Sequence, residues 1–374
     1  MRDKLVQGAL AFIVLSPPAA AAPGGVVLAE TSEQADFRVV LVAGGLDFAW
    51  DMEFLPNGDL LLSEYDGRLR LFPAAGADGE RVFEAITDTT ENGGLRGIRA
   101  HPDFATNRLL YLCYATGTVA ANHTKIVRGR LDGESLRSVQ TVFEADNESE
   151  SLLHYGCRMN WLPDGTLVAT MGDRFHHLDK AQQLQNHYGT AIRINDDGSV
   201  PDDNPFVGTS GVRQEIWAFG IRNTQGAAFH PGTGELWTSD HGPYGGDEIN
   251  ILKPGRNYGW PKATFGIDYD KTVITETPLR PEAEAPLYYW YPSVAPSSVA
   301  FYTGDDFPKW RNDLFVTTLA KRRLLRLELV GDRVVRVEEL LGGLDVRLRD
   351  IAMSPDGKLH VLTDTGDGRL LRIE

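Results

Sequence analysis

The chain has 374 residues, 42% hydrophobic and 24% charged, which supplies a large core and excludes a disordered chain. Its 52 acidic residues outnumber 37 basic ones, for a net charge of -15. A phosphate backbone would be repelled over most of such a surface, so nucleic acid is not an expected partner.

In chain order, the N-terminus reads as an export signal over residues 1–22. Arg2 and Lys4 supply positive charge, residues 5–15 are mostly apolar, and Ala19 to Ala22 offer a small-residue cleavage site. The apolar run is too short to span a bilayer, and no later run is long enough. The protein is therefore expected in the periplasm or outside the cell, after a loose leader over residues 23–35. Cys113 and Cys157 lack the CxxC spacing of a zinc site; a disulfide and two buried thiols both remain open.

From residue 36 onward, one pattern recurs. A Pro-centred turn precedes a strand opening on Leu at Pro56-Asn57-Gly58-Asp59-Leu60, Pro163-Asp164-Gly165-Thr166-Leu167 and Pro355-Asp356-Gly357-Lys358-Leu359. Pro231 heads a copy with one extra residue, and Pro102 and Pro308 head looser ones. Pro sets φ, Asp or Asn bonds its own turn, and Gly takes positive φ. The strands that follow alternate, so each copy predicts a hairpin within a small sheet. Six such sheets fit an all-β fold, a six-bladed β-propeller over residues 36–374, better than a β-sandwich. The strand over residues 36–42 lacks its own Pro turn; pairing it with the final strand over 368–374 would close the ring. The longest gaps between copies lie between 163 and 308, where elaborated, functional loops are expected.

Walker, GxGxxG, GxSxG and HExxH signatures are absent, so nucleotide chemistry, serine hydrolysis and zincin proteolysis lack their usual residues. Polar density in loops remains. His154 precedes a Gly turn at a strand start, where a neutral imidazole can take a proton from an alcohol or simply cap the turn. Arg222 and Asn223 offer a fork and an amide for a carbonyl or carboxylate. The bend at Gly242-Pro243 can aim main-chain carbonyls at a hard cation, with Asp247 and Glu248 adding charge, or form a plain surface loop. Arg347 and Arg349 share a strand face and need an acidic ligand or acidic side chains. Tyr288-Tyr289-Trp290-Tyr291 can wall a flat ring or pack in the core.

Together these residues resemble the soluble PQQ-dependent aldose sugar dehydrogenases, the glucose/sorbosone dehydrogenase family. The likeness runs from about Val39 to Ile373. It is carried by Gly94-Leu95-Arg96-Gly97-Ile98, His101-Pro102-Asp103-Phe104, His154-Tyr155-Gly156-Cys157-Arg158, Met171-Gly172-Asp173-Arg174, Asp203-Asn204-Pro205-Phe206, Phe219-Gly220-Ile221-Arg222-Asn223, Asp240-His241-Gly242-Pro243, Asn257-Tyr258-Gly259-Trp260-Pro261 and Arg347-Leu348-Arg349-Asp350. The resemblance implies PQQ and Ca²⁺ in a cleft on one propeller face, and oxidation of an aldose at C1 to a lactone. His154 would be the general base as hydride passes to the quinone, with Arg222 stabilising charge. Asn92, Arg222, Asn223, Tyr291, Arg347 and Arg349 would bind the cofactor. Gly242 and Pro243 would hold its Ca²⁺, and Asp247, Glu248 and Tyr258 look similar to a second, structural Ca²⁺ site. Electrons would leave to an unidentified acceptor. The chain departs from the family pattern at Asn92, often Gln; at Arg96, usually apolar; at Cys157, usually Ser or Gly; and at Ala320, where many members carry a PQQ-binding Lys, with Lys321 one residue late. A propeller that binds a ligand or partner without redox chemistry is the alternative, and a Ca²⁺-dependent lactonase needing carboxylates in the central channel is a third.

Overall fold

A computed structural model of the chain describes residues 22–74, 79–90 and 94–374. Residues 1–21 of the expected export signal (1–22) and Asn92 lie outside the described residues. Among those described, the strands form six antiparallel sheets. The first blade runs Ala49–Phe54, Leu60–Glu64, Arg68–Phe72 and Arg81–Glu84; the second starts at Leu95–Ala100, the third at Met159–Trp161, the fourth at Thr224–Phe229, and the fifth at Pro296–Phe301. The sixth runs Leu348–Met353, Leu359–Thr363 and Gly368–Ile373, and then takes in Asp36–Leu46 from the other end of the chain. The predicted closure is therefore present: Val39 pairs with Ile373 and Leu46 with Gly368. Residues 23–35 differ from the expected loose leader. Val26–Thr31 adds a fifth strand to this blade, and Glu30 accepts the Leu341 N–H of the neighbouring blade.

All six Pro turns serve one purpose. Pro56, Pro102, Pro163, Pro231, Pro308 and Pro355 each lie between the first and second strands of a blade. They gather on one face of the ring, so the connections before the first strand and after the second gather on the other, where every sequence-marked polar cluster falls.

The core is divided as a propeller requires. Six apolar clusters each sit between two neighbouring blades, for example Phe37, Trp310 and Phe315 with Ile351 and Leu371 between the fifth and sixth. Each blade buries its faces only against its neighbours, so closing the ring buries the last two faces. The two cysteines meet. Cys113 of the second blade bonds Cys157, just before the third, with Cα atoms 5.5 Å apart.

The innermost strands line a channel that is plugged by charge. Arg158 Nη1 lies 2.6 Å from Asp51 and Nη2 lies 3.0 Å from Asp350. Arg99 pairs with Asp51 at 3.0 Å and with Glu53 at 3.6 Å. The lactonase reading needs channel carboxylates free for a cation; here Arg99 of the second blade and Arg158, just before the third, occupy them.

Candidate functional site

At the mouth end, the innermost strand of five blades carries one residue more than its partner. The pairing skips at Trp50, Arg96, Gln225, Ser297 and Arg349. A bulge of this kind bends the strand and re-aims the extra side chain. Four of the five, Trp50, Arg96, Gln225 and Arg349, line one cavity of about 770 Å³, together with His154, Tyr155, Asn223, His241, Phe175 and Tyr269. That volume suits a small organic ligand. The bulges depend on pairing between distant segments, so only Arg349 of these four was singled out for a site from sequence.

His154 stands in the wall of the cavity with a positive φ of 53°. Its Nδ1 lies 2.6 Å from Asp173 Oδ1. Asp173 Oδ2 accepts the indole N–H of Trp260 at 2.8 Å, and Oδ1 also accepts the Phe175 N–H. Burial lowers the His154 pKa below its usual value, and the Arg222 cation adds to this, outweighing the Asp173 bond. Burial alone would raise Asp173, but the bond and charge of His154, with Arg222, hold it below the ordinary carboxylate range. A carboxylate accepting Nδ1–H leaves Nε2 as a lone pair, the arrangement of a general base. Gly172 is obligatory behind it, because a Cβ there would meet the His154 carbonyl oxygen at 2.2 Å. Arg174, fully buried, donates to the carbonyls of Asn122, Asn147, Ser151 and Leu153 and so fixes the loop that leads into His154. Asn122 and Asn147, which begin glycosylation sequons, are thus interior structural residues.

Arg222 and Asn223 are set by one carboxylate. Asp240 accepts both of their main-chain N–H groups, at 3.0 and 2.6 Å. Burial raises the Asp240 pKa to about 7 against those two bonds. The Arg222 guanidinium donates to the carbonyls of His241 and Gly242, at 3.0 and 2.7 Å, while its Nε is buried without a hydrogen-bond partner. Asn223 Oδ1 accepts from Gly156 N and Gln225 Nε2, tying the His154 turn to the fourth blade. His241 Nε2 is likewise buried without a partner. Burial and the nearby cations push the His241 pKa well down, so it is neutral.

The bend at 242–247 has the tightness expected of it. A Cβ on Gly242 would meet the Gly245 oxygen at 2.2 Å, and one on Gly245, at φ +94°, would enter the Tyr291 ring. Asp247 does not present a free carboxylate. Its Oδ1 accepts Gly242 N–H, and its Oδ2 accepts Ser293 Oγ–H and the N–H groups of Val294 and Ala295. It braces the bend instead. Tyr258 OH is likewise spent, donating to Ile251 O and accepting Lys253 N–H. Glu248 differs. Its Oε2 accepts from the Asn250 side-chain amide, and burial, with the charges of Asp240 and Asp247, raises its pKa to about 8. Glu248, Asp240, Gly242 and Tyr258 surround a space of about 10 Å³, the size of one water or ion. Among the described residues no group of three His, Cys, Asp or Glu side chains is arranged to hold a metal. A cation here would draw on Glu248 and main-chain oxygens, a hard donor set that fits Ca²⁺.

Arg347 and Arg349 meet an acidic side chain, not free space. Both pair with Asp364, at 2.7 and 3.0 Å, and of the two only Arg349 lines the cavity. Tyr291 is not brought to His154; it is 54% exposed and lines a separate aromatic groove with Phe265 and Tyr289. Lys321 turns outward to Glu339 at 2.8 Å, and no lysine enters the cavity from the loop at Ala320.

A closed ring with one mouth, an imidazole anchored by a carboxylate and guanidiniums around it define a propeller with a polar small-molecule site. A family model described as Glucose / Sorbosone dehydrogenase matches residues 46–372. Aldose sugar dehydrogenase YliI of Escherichia coli (strain K12) is 37% identical over 347 residues, covering 91% of this chain and 93% of its own. The crystal structure of the soluble aldose sugar dehydrogenase from Escherichia coli in the apo-form superposes with a TM-score of 0.84 at 36% identity, covering 90% of this chain and 99% of the other. The PQQ-bound form of aldose sugar dehydrogenase from Streptomyces coelicolor gives 0.73 at 28% identity, covering 89% and 96%. The chain belongs to the glucose/sorbosone dehydrogenase family and is an oxidoreductase.

Proposed function

We propose that the chain oxidises aldose sugars at C1 to lactones, with PQQ as cofactor, Ca²⁺ beside it and His154 as base. The observation that carries this reading is the neutral His154, held at 2.6 Å by Asp173 in the wall of a cavity lined with arginines. Arg222, Asn223, Arg349 and His241 would hold the cofactor; the buried Nε–H of Arg222, which lacks a partner, fits its acidic and carbonyl oxygens. The carbonyls of Gly242 and Pro243 would face the ion. When bound, PQQ supplies a two-electron, hydride-accepting quinone. His154 Nε2 takes the proton of the C1 hydroxyl as the C1–H bond is lost and the C1=O bond forms. Arg222 lowers the energy of negative charge opposite. Phe175, edge-on to His154 and stacked near Tyr269, limits water at the base.

Export to the periplasm or beyond rests on the N-terminal segment, and an external acceptor would take the electrons. Among the described residues no helix is long and apolar enough to cross a membrane. Purified protein given PQQ, Ca²⁺ and an aldose panel is expected to reduce an artificial dye. Absence of turnover over the whole panel rejects the reading in favour of a binding propeller, which the outward Lys321 and the Arg222-capped Gly242 carbonyl favour.

A further inference from the structure

We infer that Arg96 is a carboxylate-binding residue of the cavity. Arg96 is the extra residue of the bulge between Leu95 and Gly97. Its backbone cannot relax away: a Cβ at Gly94 would strike Tyr65, and one at Gly97 would strike the Cys157 carbonyl at 2.3 Å. The guanidinium is therefore carried into the cavity, where it lies 4.8 Å from the ring centre of Tyr155, 5.4 Å from Tyr65 and 5.9 Å from Trp50.

Aromatic faces hold a cation in place but do not use its five N–H donors. Among the described residues no side-chain hydrogen bond or ion pair engages the Arg96 guanidinium, and its Nε is buried without a partner. Arg349 in the same cavity is already neutralised by Asp364, and Lys321 by Glu339. A guanidinium fixed by rings, with its fork unspent, is suited to a bidentate carboxylate. Two ligands bring one: the acidic quinone of the proposed function, on which this part of the inference rests, and a sugar acid such as a hexuronate.

The test is binding, not turnover. Cofactor-free protein is titrated with PQQ by tryptophan quenching, and separately with D-glucuronate and D-glucose by calorimetry, for wild type, Arg96→Leu and Arg96→Lys. Leucine removes the charge and the N–H donors while keeping an apolar stem for the surrounding rings, and unchanged melting confirms folding. Arg96→Leu is expected to weaken one carboxylate ligand on the order of tenfold or more, with partial recovery in Arg96→Lys and no change for D-glucose. Loss for PQQ assigns the contact to the quinone; loss for D-glucuronate alone assigns it to an acidic sugar. Equal affinities for both ligands in wild type and Arg96→Leu overturn the inference. If wild type binds no PQQ, the quinone reading fails and the D-glucuronate comparison alone decides Arg96.

Discussion

At the scale of single residues, the site works through pairs in which one member acts and the other orients. Asp173 touches only the far side of His154, yet it selects which ring nitrogen is free. Asp173→Asn keeps the shape but removes the charge that favours Nδ1–H. Steady-state kcat is expected to fall by roughly a hundredfold or more, with KM for the sugar little changed. Burial, with Arg222 adding to it, holds the His154 pKa below its ordinary range. The acid limb of kcat/KM is therefore expected below pH 6.5, because activity needs the unprotonated ring and its proton is lost at lower pH than in a free histidine. A limb above pH 6.5 would refute that assignment.

At the scale of elements, the bulged first strands and the disulfide bring the site together. The Cys113–Cys157 bond ties the second blade to the segment that leaves His154 for the third. Replacing Cys113 with Ser frees a loop with a sequence separation of 44 in the unfolded chain. It is expected to cost about 2–4 kcal/mol, seen as a lowered denaturation midpoint. The strand Val26–Thr31 pairs only along the outer edge of the closing blade. Deleting residues 22–31 should lower the melting temperature but leave a folded protein. Deleting through Leu46 removes the strand that closes the ring and should prevent folding, as read by loss of the cooperative transition.

At the scale of the whole molecule, the plugged channel makes stability depend on pH. Burial raises the Glu53 pKa to about 7, against the opposing effect of Arg99. Between the ordinary 4.5 and 7, the folded chain holds a proton that the unfolded chain has lost. Its contribution to stability is thus complete below pH 4.5 and is lost as pH rises to 7. Glu53→Gln keeps an oxygen for the Ala100 N–H and does not titrate, so urea unfolding at pH 5 and pH 8 should differ less than in wild type. An unchanged difference would show that Glu53 does not titrate in this range.

What the sequence alone determined follows from local chemistry. The Pro turns specify hairpins through φ and side-chain bonds within a few residues, and six of them were enough to predict the propeller and its closing strand. His154, Arg222, Asn223 and Arg349 were legible because their polar types sit in Gly-rich segments beside strand starts. The tertiary structure decided what depends on residues far apart in the chain. Asp247 looked like a cation ligand until the 293–295 segment folded onto its oxygens, and of the two partners open to Arg347, an acidic ligand or an acidic side chain, the fold supplies the second in Asp364. Trp50, Arg96 and Gln225 entered the mouth through bulges that exist only once strands pair. Cys113 and Cys157 found each other because neighbouring blades pack. Sequence specifies the conformations that short-range forces select; which charges are cancelled and which stay available is settled only when the ring closes.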